Sequence, residues 1–414
     1  MCKRAGASKT VRKVVAALAA IALIGFAVCA RPVLDAGMPR GPEQPSAAAK
    51  RPSTSAAAQA STRQIRAAEN TRLMSELQRV HGLSDAQVAK IRAIFAGSSV
   101  IGQGNPAITR HPMTREQCEA KLDAEHVTYA NPRFERICGR KYMAPLYDPR
   151  TQQPEEAKAC IDQFEFPDIP CDYPVVWVKA REAAQICAAE GKRLCDADEW
   201  EDACQGAWEP PDYRFDLAQG VPPDVAIRRM REAHNRAHEA DKRWSYGPEY
   251  ERGICATGSF KTPGCNGGSW TGCGSNTYPD GSFPGCHSPL EVYDLNGNAA
   301  EHMNLPIAPD QMSQRGSATL GYTEMKGSWF IFDTYRAHPD WCRWRAPFWH
   351  GSRVMDPHSH ANYHLGFRCC SGGGSEASAV PSQNLAPSHP GVLPFGGTSH
   401  RALPAWLVQR SPGR

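Results

Sequence analysis

Apolar residues recur every three or four positions over residues 63–97, with one interruption at residues 81–83. This spacing is typical of two amphipathic helices whose apolar faces pack together. Ser84, followed three residues later by Gln87, resembles a capping box that starts the second helix. The apolar positions are Leu73, Leu77, Val80, Val88, Ile91, Ile94 and Phe95. We therefore predict a small, structural helical hairpin within residues 63–111.

The longest uninterrupted apolar run, Val14–Val28, lies behind five basic residues. Basic residues, a short apolar run and a small residue before Arg31 are typical of an export signal, here with cleavage after Ala30. The run is short for a membrane span, which needs about 20 apolar residues. A retained N-terminal anchor and a lipid-modified Cys29 stay open as alternatives.

Composition divides the rest of the chain into ordered and disordered parts. Ala, Pro, Ser and Thr dominate residues 31–62, and Pro, Ser and Gly dominate the C-terminal tail, so neither segment can bury a core. The predicted organisation is a signal or anchor at 1–30, a linker at 31–62, a helical hairpin at 63–111, a cysteine-rich domain at 112–372 and a disordered tail at 373–414.

The cysteine-rich domain mixes short regular patterns with many Gly, Pro and aromatic residues. The apolar run Val175–Val178 indicates a short buried strand. Residues 253–290 are rich in Gly and hold four cysteines, which is typical of cross-linked loops. Helical spacing predicts helices at Ala180–Glu190, Asp196–Cys204 and residues 224–244. These patterns predict an α+β fold that is rich in loops.

Fourteen of the 16 cysteines lie between Cys118 and Cys370. An even number behind an export signal favours disulfides and an extracytoplasmic location, which is periplasmic, cell-surface or secreted. Free buried thiols or a metal cluster are the alternatives, although no C-x-x-C pair is present. Without residues 1–30, 42 basic residues face 43 acidic ones, so no electrostatic footprint for nucleic acid exists.

Several short segments of this domain occur in an order that resembles one known family. The segments are Cys160–Pro167, Tyr173–Val178, Gly191–Cys204, Val292–Glu301, Lys326–Trp329, Arg343–Arg345 and Leu365–Cys369. Together they resemble the formylglycine-generating enzyme, or sulfatase-modifying factor, family over about residues 140–372. The resemblance implies a compact, loop-rich α+β fold related to C-type lectin-like domains.

The segment Tyr293–Glu301 combines acidic residues with an Asn-Gly-Asn turn. Calcium prefers several oxygens from carboxylates and carbonyls. The resemblance implies a calcium site made from the side chains of Asp294 and Glu301 and the carbonyls of Gly297 and Ala299. The alternative is a plain turn, in which Asp294 makes a local hydrogen bond and Glu301 pairs with an arginine.

Catalytic members of the family hold copper(I) between two cysteines that follow the Gly-Ser-Trp element, since soft thiolates select this ion. Here Ile331 stands near the first position, and Cys342 lies one residue too close to the Arg-Trp-Arg segment. We therefore expect no formylglycine synthesis. The resemblance also implies a Cys187–Cys369 disulfide, and it makes Cys204 a candidate partner of Cys342. The remaining candidate catalytic residues are Cys342, Arg343, Arg345 and Asp333.

Histidines offer two candidate transition-metal sites. His234 and His238 are four residues apart, so they share one helix face and either grip a metal or form a solvated face. His358 and His360 with His364 supply three nitrogens that would suit iron or copper, or else a polar surface loop.

Aromatic residues concentrate between Trp329 and Trp349, interleaved with three arginines. They either fill the core or line a groove for a peptide or glycan. The first functional hypothesis is an exported family member that performs a metal-dependent oxidation without the cysteine pair. The alternative is a non-catalytic, calcium-stabilised, lectin-like module that binds a peptide, protein or glycan at the cell surface. A third is an assembly partner on an N-terminal membrane tether.

Overall fold

The N-terminal hairpin is the first part of the chain that the structure describes. The computed structural model covers residues 56–346 and 351–372, with side chains from residue 59 onward. Helix α1 spans Ala56–His81 and α2 spans Asp85–Gly97. Residues 56–62, predicted as linker, are helical instead, because alanine is the strongest helix former and extends α1 backwards. The predicted signal and tail, and the linker before residue 56, lie outside the described residues.

The capping box at Ser84 starts α2 as predicted. The Ser84 amide donates to Gln87 Oε1 at 3.0 Å, and the Gln87 amide donates back to Ser84 Oγ at 3.4 Å. Gln87 Nε2 also donates to the carbonyl of Glu190 at 3.1 Å. The apolar faces of the hairpin join one core cluster with Ile186 and Phe367 of the main domain, so the hairpin is part of the folded body.

Five further α-helices follow in the part of the chain that the structure describes. They are α3 (Arg115–Ala124), α4 (Pro132–Cys138), α5 (Ala180–Glu190), α6 (Ala197–Gln205) and α7 (Pro223–His238). The bounds of α5 agree with the sequence prediction, since Gly191 ends the helix in the left-handed conformation with φ +80°. Helix α7 is shorter than predicted, because a single 3₁₀ turn, Glu239–Asp241, replaces its last turns.

Seven short strands of the described residues form two sheets. The strands are β1 (Met143–Leu146), β2 (Ala159–Asp162), β3 (Arg193–Leu194), β4 (Ala300–Leu305), β5 (Tyr322–Lys326), β6 (Leu365–Phe367) and β7 (Cys369–Gly372). The first sheet has the order β1-β2-β7-β3 and is antiparallel. The second has the order β5-β4-β6, in which β4 and β6 run parallel. The predicted strand Val175–Val178 is wrong, since only Val176 forms a β-bridge there.

Arg368 is the single residue between β6 and β7, so it stands where the chain passes from one sheet to the other. Its guanidinium donates to both oxygens of Glu301 on β4, each at 2.7 Å. It also donates to the carbonyls of Asp162 at 3.0 Å and Tyr293 at 3.0 Å. The two charges are fully buried but paired, which is the condition under which a buried ion pair is tolerated.

Disulfides join the helices and loops to this framework. Two adjacent cysteines of β7 hold two different elements: Cys369 bonds to Cys187 on α5, and Cys370 bonds to Cys195. The other bonds are Cys118–Cys171, Cys138–Cys160, Cys204–Cys342, Cys255–Cys286 and Cys265–Cys273. The last two cross-link the segment 253–290, which contains no helix or strand.

Candidate functional site

The candidate catalytic cysteine, Cys342, is bonded to Cys204 of α6, with an S–S distance of 2.07 Å and a Cα–Cα distance of 5.4 Å. Ile331, which stands near the other family position, is a buried core residue. All fourteen cysteines of the described residues take part in the seven disulfides, so none of these offers a thiolate. The paired-thiolate site is therefore absent from the described residues.

Arg343 and Arg345 face inward and hold the loop after Cys342 against α6. Arg343 donates to Gln205 Oε1 at 2.7 Å and to Glu209 Oε2 at 2.8 Å. Arg345 forms a bidentate pair with Glu201, at 2.8 and 3.0 Å. Because both guanidinium groups are engaged by these acceptors, they hold the loop in position.

Glu201 of α6 is the centre of this buried charge network. Besides Arg345, it accepts from Lys326 Nζ of β5 at 3.1 Å. Burial alone raises the pKa of Glu201, but Arg345 and Lys326 outweigh it and lower the pKa to about 2. The network therefore stays ionised, and it fixes α6, β5 and the 342–345 loop relative to one another.

Asp333 also contacts neighbouring side chains of the fold. Its Oδ1 accepts from the hydroxyl of Tyr250 at 2.8 Å and lies 3.6 Å from Arg252 Nε. These contacts join the segment after Trp329 to the loop around residue 250. The side chain of Asp333 is 6% exposed, and the structure places it beside Tyr250, which lines a surface groove.

That groove has a volume of about 400 Å³. Arg336 lies over the ring of Tyr250, 3.9 Å from its centroid, and Lys242 lies 5.9 Å from the ring centroid of Trp341. Cations at these distances from an aromatic face are attracted by the ring quadrupole. The main lining residues are Trp244, Tyr250, Phe332, Arg336, Asp340 and Trp341. We call this surface the aromatic groove.

Asp340 forms the polar floor of the aromatic groove. Its Oδ1 accepts from Trp244 Nε1 at 2.8 Å, and its Oδ2 accepts from Ser328 Oγ at 2.9 Å. Burial raises the pKa of Asp340 to about 6, although these two donors act in the opposite direction. The carboxylate is thereby occupied by the protein itself, and it orients the Trp244 ring.

The aromatic-rich segment divides between core and groove. Trp329 and Phe330 are buried in a core cluster with Val176 and Trp177. Phe332 and Trp341 are also buried, at 2% and 6% exposed, although they lie at the groove. The segment therefore packs mainly into the core, and a ligand for the groove stays a prediction, while Phe348 and Trp349 lie outside the described residues.

Three of the candidate calcium residues, Asp294, Gly297 and Ala299, lie in a tight turn that leads into β4. Asp294 Oδ2 accepts from the Gly281 amide at 2.6 Å, whereas the buried Oδ1 of Asp294 has no hydrogen-bond partner. Gly297 has a φ of +118°, and a Cβ there would lie 2.9 Å from Thr257. Ala299 donates its amide to Glu165 Oε1 at 2.6 Å. An orphaned buried carboxylate oxygen fits a hard cation.

Glu301 does not fit the expected calcium role. Both of its oxygens accept from Arg368, and Oε2 also accepts from Trp200 Nε1 at 3.0 Å. The arginine pairing that the sequence left open is what the structure contains. Glu301 therefore serves the junction of the two sheets, and the calcium expectation fits Asp294 better than Glu301.

Two acidic residues beside Asp294 received no role from the sequence. Glu165 Oε2 accepts from Asn298 Nδ2 at 2.7 Å, and Asp280 Oδ1 lies 3.4 Å from the same nitrogen. Asp280 Oδ2 is buried and lacks a hydrogen-bond partner. Burial, followed by neighbouring carboxylates, raises the pKa of Glu165 and of Asp280 well above the ordinary value. Glu165 lies in the segment Cys160–Pro167, which contributed to the family resemblance, whereas no sequence motif singled out Asp280.

The structure does not bring together the histidines at positions 358, 360 and 364. His358 and His360 lie on an exposed loop, whereas His364 stacks on Trp329 with ring centroids 4.4 Å apart. Among the described residues, two groups of potential ligands lie within 4.8 Å of one another, and neither contains these histidines. The spacing in sequence indicated three available nitrogens, but the loop directs them to different neighbours.

The comparison with family models agrees with the motif order. A family model described as the sulfatase-modifying factor enzyme 1-like domain matches residues 93–372. No curated protein matches the chain. Among solved structures, the crystal structure of CarF shares 15% identity, covers 66% of this chain and 93% of its own, and superposes with a TM-score of 0.21.

The fold and the site thus define a disulfide-stapled α+β domain with an aromatic groove and a buried acidic turn. Because the family model matches more than half of the chain, the protein belongs to the sulfatase-modifying factor enzyme 1-like family. The predicted family and fold class are confirmed. The match begins within α2, so it also includes part of the hairpin.

The seven disulfides indicate an oxidising, extracytoplasmic environment, because such bonds persist outside the cytoplasm. This part of the predicted location is supported. Among the residues that the structure describes, none of the helices combines the length and apolar character of a membrane span.

Proposed function

We propose that this protein is an extracytoplasmic, non-catalytic binding module of the sulfatase-modifying factor enzyme 1-like family, and that its aromatic groove holds a peptide. The observation that carries the proposal is the pairing of Cys342 with Cys204, next to a groove lined by aromatic rings and two cations. The segment that carries copper in catalytic relatives here supplies a disulfide and a ligand-sized surface.

The chemistry of the groove favours a peptide over a glycan. Sugars need free acceptors and donors in addition to an aromatic face, but both oxygens of Asp340 are already used by Trp244 and Ser328. Arg336 and Lys242 at the groove instead suit acidic side chains, and the rings suit apolar ones. The expected ligand is therefore an acidic peptide with apolar or aromatic residues.

The experiment measures binding of the purified protein to an array of acidic, aromatic-containing peptides, with a glycan array in parallel. Arg336→Glu reverses an exposed charge at the groove, so we expect peptide affinity to fall at least about tenfold without loss of folding. Tyr335→Ala is the matched control, since Tyr335 is an exposed aromatic residue of the same segment outside the groove. Glycan binding alone, or equal peptide binding by Arg336→Glu, would refute the proposal.

Calcium is part of this proposal as a stabilising ion at the acidic turn. The support is the orphaned Oδ1 of Asp294, with the buried carboxylates of Glu165 and Asp280 beside it. Asp294 would hold the ion, which would offset the repulsion among these groups. The ion would fix the turn that leads into β4, and no reaction step depends on it.

Metal-dependent oxidation, the other function that the sequence suggested, would need a ligand set different from His358, His360 and His364, because these residues do not converge. The periplasmic, cell-surface or secreted location and the N-terminal tether stay proposals, since residues 1–55 are not described. Both can be tested by fractionating cells that express the full chain.

A further inference from the structure

A second cluster of potential ligands lies next to Arg345 and Glu201. His234 and His238 lie one turn apart on α7, with ring centroids 4.6 Å apart. Asp212, in the loop after α6, places Oδ2 at 2.8 Å from His234 Nδ1 and at 2.8 Å from His238 Nε2. The three atoms all lie within 4.8 Å of one another.

We propose that Asp212, His234 and His238 bind a divalent first-row metal ion of the zinc type. Two imidazole nitrogens and one carboxylate oxygen are a ligand set for zinc, iron or copper, whereas calcium and magnesium require mostly oxygen. Metal–ligand distances near 2.0–2.2 Å allow one ion to reach three atoms that lie this close together. This site does not depend on the proposed peptide groove.

The hydrogen-bond partners of His234 support this assignment. Its Nε2 lies 2.8 Å from the carbonyl oxygen of Arg343 and 3.4 Å from Glu201 Oε2. Both partners only accept, so Nε2 must carry the hydrogen. In a neutral ring Nδ1 then presents a lone pair to the Asp212 carboxylate, and two acceptors face each other. Either a second proton or a metal ion removes this conflict.

His234 is 3% exposed, so its two ring nitrogens must find their partners within the fold rather than in bulk water. A metal ion between Nδ1 and Oδ2 uses both lone pairs and leaves the Nε2–H bond to Arg343 intact. Metal-bound histidines typically donate their other ring hydrogen to a carbonyl or carboxylate in this way.

The remaining surroundings also suit a metal site with an open side. Arg345 Nη2 lies 3.3 Å from Asp212 Oδ1, the oxygen that faces away from the histidines, so it orients the carboxylate. The side chains of Asp212 and His238 are 32% and 22% exposed. A bound ion would thus have one buried ligand and two at the surface, which leaves room for water or a further ligand.

The test uses untagged full-length protein stripped of metal with a chelator and dialysed. Cobalt(II) is titrated by visible absorption, and zinc chloride by calorimetry. His238→Ala removes the exposed ligand, Asp212→Asn removes the carboxylate charge, and His358→Ala is the control, an exposed histidine outside the cluster. Circular dichroism and the melting temperature in chelator check that each variant folds.

We expect the wild type and His358→Ala to bind one ion with the same affinity, and the two cluster variants to bind at least about 100-fold more weakly. The cobalt absorption band should disappear in the same two variants. Equal binding by His238→Ala would place the ion elsewhere and overturn the proposal. Failure of the folded, metal-free wild type to bind either ion would also overturn it.

Discussion

Removing the Cys204–Cys342 disulfide tests whether Cys342 has a structural role. The bond closes a loop with a sequence separation of 138, which alone would stabilise the fold by about 5 kcal/mol through chain entropy. The Cys195–Cys370 bond, however, already connects the two halves of this loop. With that bond in place, Cys204–Cys342 closes a smaller loop, made of the 9 residues from 195 to 204 and the 28 residues from 342 to 370. The expected stabilisation is therefore closer to 4 kcal/mol.

The double variant Cys204→Ser/Cys342→Ser should lose about this amount in the free energy of unfolding, measured by denaturant titration without reductant. Alkylation and mass spectrometry of the unreduced wild type provide the direct assay, because the tryptic peptide 337–343 contains Cys342 as its only cysteine. Cys342 should remain unlabelled even after denaturation. Labelling of Cys342 in the native, unreduced protein would refute the structural role and restore it as a catalytic candidate.

Two further predictions concern carboxylates. Calcium should raise the melting temperature of the wild type, and the free energy of unfolding should rise by about 2.7 kcal/mol when calcium is at 100 times its dissociation constant. Asp294→Asn should reduce this stabilisation, whereas the exposed control Asp310→Asn should keep it. Unchanged stabilisation in Asp294→Asn would contradict the calcium proposal. Asp340 has a pKa of about 6 in the folded protein against 3.8 as its ordinary value, so its ionisation costs stability as the pH rises from about 4 to about 6. Asp340→Asn should remove up to about 3 kcal/mol of this pH-dependent loss in the free energy of unfolding. Denaturant titration at both pH values measures it, and the same dependence of stability on pH in Asp340→Asn and the wild type would disprove the assignment.

Local sequence signals predicted the elements whose ends are fixed locally. The capping box at Ser84 and the left-handed Gly191 set the boundaries of α2 and α5 without help from distant residues. The short apolar run at Val175–Val178 failed as a strand because its amides bind three unrelated segments. The acceptors are the carbonyls of Phe166, Gly102 and Asn362, for the amides of Val175, Val176 and Trp177 respectively.

The functional surfaces were harder to predict, because distant residues build them. Trp244 and Tyr250 join Trp341 in the aromatic groove from about 90 residues earlier in the chain. Asp212 reaches His234 from an irregular loop 22 residues before it, where no periodic pattern marks it. The sequence did identify the two histidines on one helix face, but it could not supply their carboxylate partner.

The adjacent cysteines of β7 also determine how the protein responds to mechanical load. If the chain is pulled at a residue before Cys187 and at a residue after Cys370, the Cys187–Cys369 bond carries the force. The chain between the two cysteines, a sequence separation of 182 residues, is then not stretched. At about 3.4 Å per residue, roughly 600 Å of polypeptide is shielded from stretching. A protein pulled from both ends would therefore extend only in the segments outside this bond, and the aromatic groove, which lies inside it, would keep its shape under tension.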